Sequence, residues 1–188
     1  MNDGKKREWK SPTGIPVDSY EEVQFFHWIL EAKMIGLVEC FKYHPRPFVL
    51  ADPVTVPEQI RLKTKIVDRR RHLLNDCCYT ADFVFRATRL MNEIDHGLFA
   101  ANGSDFWVDV KGTFGPHNDA AKFSVIRKWV YAKHGIFINK IVPVDFFEKT
   151  FAPYRLRYKK NGEVRAAFLN CRTSNELSEL VHRQPAFL

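Results

Sequence analysis

Three residues whose types could do chemistry together stand in two short segments of the chain, Tyr79–Phe85 and Phe106–Gly112. Both segments are rich in aromatic and β-branched residues, which predicts strands. Side chains alternate between the two faces of a strand, so Asp82 lies opposite the apolar face of the first strand. Asp109 and Lys111 share the polar face of the second. If the two strands pair with matched faces, the two carboxylates and the amine converge.

Such a set of side chains suits phosphodiester hydrolysis. Hard cations such as Mg²⁺ take oxygen ligands and are often held by one or two carboxylates together with waters and a substrate phosphate. A bound cation polarises the phosphate and lowers the pKa of a bound water, and a nearby lysine can stabilise developing charge. In the alternative interpretation, Asp82 and Asp109 are solvent-face residues of an amphipathic sheet and Lys111 is an ion-pair partner, because alternating strands produce Asp-x-Lys triplets by default.

The joint pattern resembles the PD-(D/E)xK nuclease superfamily, and within it phage-type endonucleases related to Holliday-junction resolvases. The resemblance covers about residues 19–147, and Ala81 stands where the superfamily nominally has proline. The segment between the motif strands, residues 86–105, is long for a simple hairpin, which leaves direct pairing of the strands open. The matching segments are Tyr79-Thr80-Ala81-Asp82-Phe83 and Val108-Asp109-Val110-Lys111-Gly112.

This resemblance implies a metal-dependent DNA endonuclease that is phage-derived and selective for branched or junction DNA. It implies Mg²⁺ as the cofactor, with Mn²⁺ able to substitute. The implied fold is α/β, with a restriction-endonuclease-like core in which helices flank a mixed central sheet. The implied catalytic residues are Glu22, Asp82, Asp109 and Lys111, of which Glu22, Asp82 and Asp109 would bind the metal.

Glu22 lies in the first predicted helix, Ser19–Ile35. At about 100° per residue, Glu22 is at the edge of the apolar stripe and can reach inward, whereas Glu21 points nearly opposite the stripe. The stripe is formed by Val23, Phe26, Leu30 and Met34.

The same glutamate also has a structural interpretation. Ser19 and Glu22 have the spacing of a capping box, in which Glu22 bonds back to the Ser19 backbone. Asp18 and Glu21 repeat this spacing one residue earlier, which would leave Glu22 free for chemistry. The sequence leaves both arrangements open.

The net charge of +7 and the pI near 9.3 suit a polyanionic partner such as DNA. The densest positive cluster runs from Arg61 to Arg71, where Gln59–Val67 is predicted as a strand with one basic face and Asp68–His72 as a loop or hairpin tip. This cluster contacts a DNA backbone, or it is a solvated sheet edge. The candidate DNA-binding residues are Lys63, Lys65, Arg69, Arg70 and, on a predicted helix from Asp119 to His134, Lys128.

The length of 188 residues allows one domain with terminal extensions. Residues 1–17 are predicted as a flexible basic arm, residues 18–152 as the nuclease core, and residues 153–188 as an appended hairpin around Asn161-Gly162 followed by a short helix. No apolar run approaches the roughly 20 residues that span a bilayer, and the N-terminus lacks a signal-peptide pattern. We therefore expect no membrane contact, a cytoplasmic location and reduced cysteines.

Two other functions stay open. One is a non-catalytic nucleic-acid-binding module on the same fold, and the other is a sequence-specific restriction-type nuclease. The presence of several acids argues against a pure binder, which has no need of carboxylates beside phosphate. RNA as the substrate and a homodimeric state also stay open.

Overall fold

The computed structural model describes residues 8–100, 103, 105–112 and 117–183. They form ten strands, six α-helices and one 3₁₀ turn, Ala166–Phe168. The strands are β1 (Trp9–Lys10), β2 (Pro16–Val17), β3 (Val38–Tyr43), β4 (Phe48–Ala51), β5 (Val54–Arg61), β6 (Ile66–Leu74), β7 (Cys77–Tyr79), β8 (Phe83–Ala87), β9 (Asp105–Val110) and β10 (Ile138–Ile141). The helices are α1 (Tyr20–Met34), α2 (Arg89–Asn92), α3 (His117–His134), α4 (Pro143–Lys149), α5 (Tyr154–Arg157) and α6 (Ser174–Arg183).

The central sheet has four strands in the order β10–β9–β8–β3. β10 and β9 are parallel, whereas β9–β8 and β8–β3 are antiparallel, so the sheet is mixed. α1 contacts β3, and α3 contacts β10 and β4. The predicted α/β class with a mixed sheet and helices is confirmed. In the described part of the chain, no helix is both long and apolar enough to cross a membrane.

The two motif strands pair directly, with Phe83 opposite Val108 and Phe85 opposite Phe106. The long segment between them accommodates α2 and a loop that packs Leu98 against the core. The length of this segment left direct pairing of the two motif strands open, and the structure shows that they do pair.

The larger core cluster lies between the central sheet and α1. The ring of Phe25 packs edge-on against Phe83 at 4.8 Å between centroids, and Trp28 stacks on Phe151 at 5.7 Å. Met34, predicted in the apolar stripe, is 85% exposed. The stripe prediction is wrong at Met34, which is the last residue of α1. The helix buries Phe26, as predicted, and in addition Phe25, Trp28, Ile29 and Ala32.

The second cover of α1 is the C-terminal segment. Glu31 of α1 accepts hydrogen bonds from the Tyr154 backbone N–H at 2.9 Å and from the Ser174 hydroxyl. The segment predicted as an appendage thus contributes to the main core, through Leu156, Phe168, Cys171 and Leu177.

The predicted C-terminal hairpin is wrong apart from its turn. A single bridge joins Tyr158 to Val164 across the turn at Asn161-Gly162. The flanking residues form α5 and the 3₁₀ turn, because Leu156 and Phe168 reach the core from helical turns.

The N-terminal arm is not loose over the residues that the structure describes. β1 and β2 pair as a small antiparallel hairpin, and Val17 is buried in the main core. The ring of Trp9 lies 5.0 Å from that of Tyr20, centroid to centroid. Apolar contact with α1 therefore orders residues 9–17, while residues 1–7 lie outside the described residues.

A two-stranded ribbon leaves the body between β3 and β8. β4 pairs with β7, and β5 pairs with β6, all antiparallel. We call Val54–Leu74, the outer part of this ribbon, the hairpin arm. Its turn is Leu62–Lys65, closed by a 2.8 Å hydrogen bond from Leu62 N–H to the Lys65 carbonyl. The predicted strand Gln59–Val67 and loop Asp68–His72 are therefore wrong, because the chain reverses at Leu62–Lys65 and Asp68–His72 is extended.

Candidate active site

Asp82 and Asp109 meet at the end of the β8–β9 ladder. Phe83 pairs with Val108, and one further step along the antiparallel register places Asp82 opposite Asp109. The carboxylate of Asp82 accepts a 2.6 Å hydrogen bond from the Val110 N–H. The strand that carries one aspartate thus orients the other.

The chain changes partner strands just before Asp82. β7 pairs with β4 in the ribbon, and β8 pairs with β3 and β9 in the central sheet. The predicted continuous strand Tyr79–Phe85 is therefore interrupted at residues 80–82. A smaller core cluster lies under α3 and consists of Phe48, Leu50, Ala81, Val130 and Ile138. Ala81 fixes the segment that passes from β7 to β8 in this cluster, and Asp82 follows it where the ribbon meets the central sheet.

Lys111 follows β9 and returns to Asp109. Its Nζ lies 2.6 Å from Asp109 Oδ2 and 5.8 Å from the centroid of the Phe123 ring. Burial opposes a charge on this amine, but the carboxylates of Asp109, Asp82 and Glu22 outweigh that effect and raise the pKa of Lys111. The side chain is therefore a cation directed at the carboxylate pair.

Asp109 is only 2% exposed. Its Oδ2 receives no well-aligned hydrogen bond from any residue of the described chain, and the buried hydroxyl of Tyr79 lacks one as well. Burial, followed by the charge of Asp109, raises the pKa of Tyr79, so this hydroxyl stays protonated. The nearest partner of Asp109 Oδ2 is the Lys111 ammonium at 2.6 Å, so a ligand that binds this oxygen would have to share it with Lys111 or displace Lys111.

The pKa of Asp82 is raised to about 8, first by burial and then by the charge of Asp109. The Val110 N–H and Lys111 act in the opposite direction but do not cancel these effects. Asp82 is therefore largely protonated at neutral pH, and a cation that binds the pair would have to displace this proton. Carboxylate oxygens are hard donors of the kind that Mg²⁺ and Mn²⁺ take.

Glu22 is buried at the start of α1 and pairs with Ser19 as the capping-box spacing predicts, but its carboxylate bonds to the Ser19 hydroxyl and the Asp18 N–H and not to the Ser19 backbone. The Ser19 hydroxyl accepts from the Glu22 N–H at 3.2 Å and donates to Glu22 Oε1 at 2.9 Å. Oε2 accepts from the Tyr43 hydroxyl at 2.7 Å and from the Asp18 N–H at 3.2 Å. The Asp18–Glu21 box is therefore not the one that forms.

This capping role does not remove Glu22 from the site. Its negative charge contributes to the raised pKa values of Asp82 and Lys111. The structure thus brings all four sequence-predicted catalytic residues to one end of the central sheet, with Glu22 held in local hydrogen bonds.

Glu21 lies beside the site, although helical periodicity predicted that it points away from the apolar stripe. Its Oε1 lies 3.0 Å from the position that a Cβ on Gly112 would occupy. Helical periodicity pointed Glu21 away from a single apolar stripe, but α1 is buried on more than one side, so that face also meets the sheet. Glycine after Lys111 leaves the space that this carboxylate uses.

His44 is a second residue that no periodicity indicated, because it lies in the bend between β3 and β4. Its φ is 44°, in the left-handed region, and its N–H donates to the Asp82 carbonyl at 2.8 Å. Its Nε2 lies 3.8 Å from Asp18 Oδ2, and ligand atoms of Asp18, Glu22 and His44 lie within 4.8 Å of one another. This bend fixes the backbone of Asp82.

The candidate DNA-binding residues lie on other elements than the carboxylates. Lys63 and Lys65 are in the turn of the hairpin arm, and Arg70 is on β6. Arg69 contacts Glu58 at 2.7 Å, so part of its charge is already compensated. Lys128 is exposed on α3.

Comparison with known proteins adds no assignment. No protein-family model matches the chain, and no curated protein or solved structure matches it significantly. The function must therefore be inferred from the residues and geometry described above.

Proposed function

We propose that this chain is a metal-dependent DNA endonuclease that hydrolyses phosphodiester bonds and is phage-derived and selective for branched DNA. The proposal includes a restriction-endonuclease-like arrangement of the core. The observation that carries it is the buried carboxylate pair Asp82–Asp109 facing Lys111. Holding two buried carboxylates side by side is costly, as the raised pKa of Asp82 indicates, so a fold that needs only stability has little use for this arrangement.

In this proposal Asp82, Asp109 and Glu22 would hold Mg²⁺, and Mn²⁺ fits the same donors. The cation, when bound, supplies polarisation of the phosphate and a bound water of lowered pKa. The Val110 N–H keeps Asp82 in orientation. The ammonium of Lys111, once Asp109 is engaged elsewhere, is placed to orient the attacking water and to offset charge that grows at the phosphate.

The test is a cleavage panel of linear duplex, flap, splayed-arm and four-way-junction DNA, each with Mg²⁺ and with EDTA. We expect cleavage of the branched substrates that requires Mg²⁺ and stops in EDTA. Binding of these DNAs without cleavage in Mg²⁺ or Mn²⁺ would contradict the proposal.

One observation favours the second candidate, a non-catalytic DNA-binding module. Lys111 Nζ already lies at ion-pair distance from Asp109, so an amine neutralises part of the charge that a cation would. If that ion pair is the whole function of Lys111, Mg²⁺ will not stabilise the protein. A thermal melt with and without Mg²⁺ separates the two candidates, because a ligand that binds only the folded state raises the melting temperature.

A further inference from the structure

The hairpin arm stands apart from the packed body. β5 and β6 form a sheet of their own, and none of residues 54–74 is buried or belongs to either core cluster. Eight residues of strand at about 3.3 Å each give the arm a reach of roughly 25 Å. A lone two-stranded hairpin is only marginally stable in water, so binding of a partner would stabilise the arm.

The charge of the arm indicates what that partner is. Residues 54–74 contain six Lys or Arg and two acids. On one face Glu58 contacts Arg69 at 2.7 Å and Arg71 at 3.6 Å. The cations outside this cluster are Arg61, Lys63, Lys65 and Arg70, with Asp68 on the same face as Arg61 and Arg70.

The tip adds apolar surface to this charge. Leu62 is 49% exposed and Ile66 is 57% exposed, and they flank the turn. Lys63 and Lys65 lie between them in the chain. Exposed aliphatic side chains surrounded by cations are what proteins use to wedge between DNA bases while binding the adjacent phosphates.

We propose that the tip of the hairpin arm binds DNA at a branch, where Leu62 and Ile66, which the register places on opposite faces of the hairpin, pack against unstacked bases. Lys63, Lys65 and the nearby arginines bind the flanking phosphates. This inference rests on the proposed function and names the part of the substrate that is recognised. A second copy of the chain fits the arm poorly, because two arms of the same net positive charge repel.

The inner part of the ribbon, β4 and β7, connects the arm to the carboxylates. β6 leads into β7, and Tyr79 at the end of β7 is three residues before Asp82. The same ribbon is anchored through Phe48 and Leu50 in the smaller core cluster. An arm held in this way fixes the distance between the recognised branch and the phosphate that is cut, so the cut falls at a constant offset from the branch.

The experiment uses the full chain carrying Asp82→Asn, which keeps the DNA intact. The probe is a four-way junction with 2-aminopurine at the branch, and the reference is a continuous duplex with the same label. We expect junction binding to raise the 2-aminopurine fluorescence. Adding Leu62→Ala and Ile66→Ala should remove this rise and lower the preference for junction over duplex roughly tenfold, because the variant no longer offers apolar side chains that hold a base out of the stack.

A matched control is provided at the base of the arm. Leu73 and Leu74 are 54% and 57% exposed, much like the tip pair, so Leu73→Ala with Leu74→Ala removes similar apolar surface away from the turn. We expect this control to keep both the fluorescence rise and the junction preference. Equal losses in the tip and base variants would overturn the assignment of the tip.

The outcomes also separate this inference from the proposed function. If the 2-aminopurine signal rises on junction binding and is lost in the Leu62→Ala, Ile66→Ala variant, while the protein shows no Mg²⁺-dependent cleavage, only the proposed function is overturned. Branched-DNA cleavage with unchanged fluorescence in the tip variant overturns only the role of the arm. If the tip variant instead converts a dimer to a monomer in DNA-free sedimentation, the arm binds a second copy and the inference is wrong.

Discussion

The carboxylate of Asp82 and the backbone N–H of Val110 are joined by a 2.6 Å hydrogen bond across the β8–β9 ladder. Val110 directly follows Asp109, so this bond sets the orientation of one carboxylate relative to the strand that bears the other. Because the donor is a backbone group, substitution of the Asp109 side chain leaves the orientation of Asp82 intact. The two aspartates can therefore be tested separately.

Asp82→Asn and Asp109→Asn should each reduce single-turnover cleavage in Mg²⁺ by at least about 10²-fold while DNA binding survives, because each removes a metal-binding carboxylate. The matched control is Asp105→Asn. Asp105 is on the same strand but pairs with Arg86 at 2.8 Å on the exposed surface. Wild-type rates in either site variant would rule out the metal assignment.

Asp82→Asn should also stabilise the metal-free protein at pH 9. The pKa of Asp82 is raised in the folded state to about 8, so the stability associated with its protonated form is lost as the pH rises through that value. An asparagine carbonyl still accepts from the Val110 N–H without the charge. We expect the variant to melt at least about 3 °C above wild type at pH 9, as roughly 1 kcal/mol would produce in a chain of this size.

The check on this expectation is a thermal melt at pH 9 and at pH 4 in EDTA. The difference between variant and wild type should shrink at pH 4, where Asp82 is protonated in the folded wild-type protein. Mg²⁺ at pH 9 should restore stability to wild type more than to the variant. A variant that melts below wild type at both pH values would show that the charge of Asp82 is well compensated.

Lys111→Met should lower single-turnover cleavage by about 10²–10³ at saturating enzyme, since one preorganised donor is removed. It should also lower the stability of the metal-free protein, because buried Asp109 loses its counterion. Lys159→Met is the control, because Lys159 contacts exposed Glu163. Cleavage that falls less than twofold in Lys111→Met would leave Lys111 a structural ion-pair partner only.

Glu22→Gln tests the capping role and the chemical role together. Three donors point at the Glu22 carboxylate, and an amide nitrogen cannot accept, so at least one donor loses its partner at a cost of about 1–3 kcal/mol. We expect this loss in urea unfolding and, below the melting transition, cleavage slowed by roughly 10²-fold. Cleavage per folded molecule that equals wild type would leave Glu22 with the capping role alone.

The cations of the hairpin arm should differ in their effect on DNA affinity. Replacing Lys63, Lys65 and Arg70 with alanine should reduce the slope of log affinity against log salt by about 0.9 for each DNA phosphate that the variant no longer neutralises. Arg69→Ala should change the slope less, because Glu58 already compensates Arg69. Titrations at four salt concentrations measure this. Equal effects of Arg69 and Arg70 would contradict the division between the two faces.

Part of the site could be predicted from local rules. Alternation placed Asp109 and Lys111 on one face of a strand, and the Ser19 cap of α1 was indicated by residue types. The convergence of Asp82 with them also needed the pairing of β8 with β9, which the sequence left open and the structure shows. The local features depend on neighbours in the chain, which is why the pattern was sufficient for them.

The errors arose where distant segments decide. A single apolar stripe was predicted for α1, whereas the helix packs against the sheet and is also covered by the C-terminal segment, and no local pattern shows that second cover. The exposure of Met34 and the contact of Glu21 with Gly112 both depart from that stripe. The turn of the hairpin arm lies at Leu62–Lys65 without glycine or proline, so turn chemistry gave no signal. Tyr79–Phe85 was predicted as one strand because the amino-acid composition does not show that the chain changes its partner strand within this segment.

The absence of buried residues in the hairpin arm, among residues 54–74, has a practical consequence for engineering. The arm can be shortened, lengthened or exchanged for another hairpin without removing a side chain from either core cluster. If the arm recognises DNA as proposed, selectivity and folding are encoded in separable parts of the chain. A library randomised at Leu62–Ile66 would sample new DNA preferences on a scaffold whose carboxylate cluster and melting behaviour stay constant.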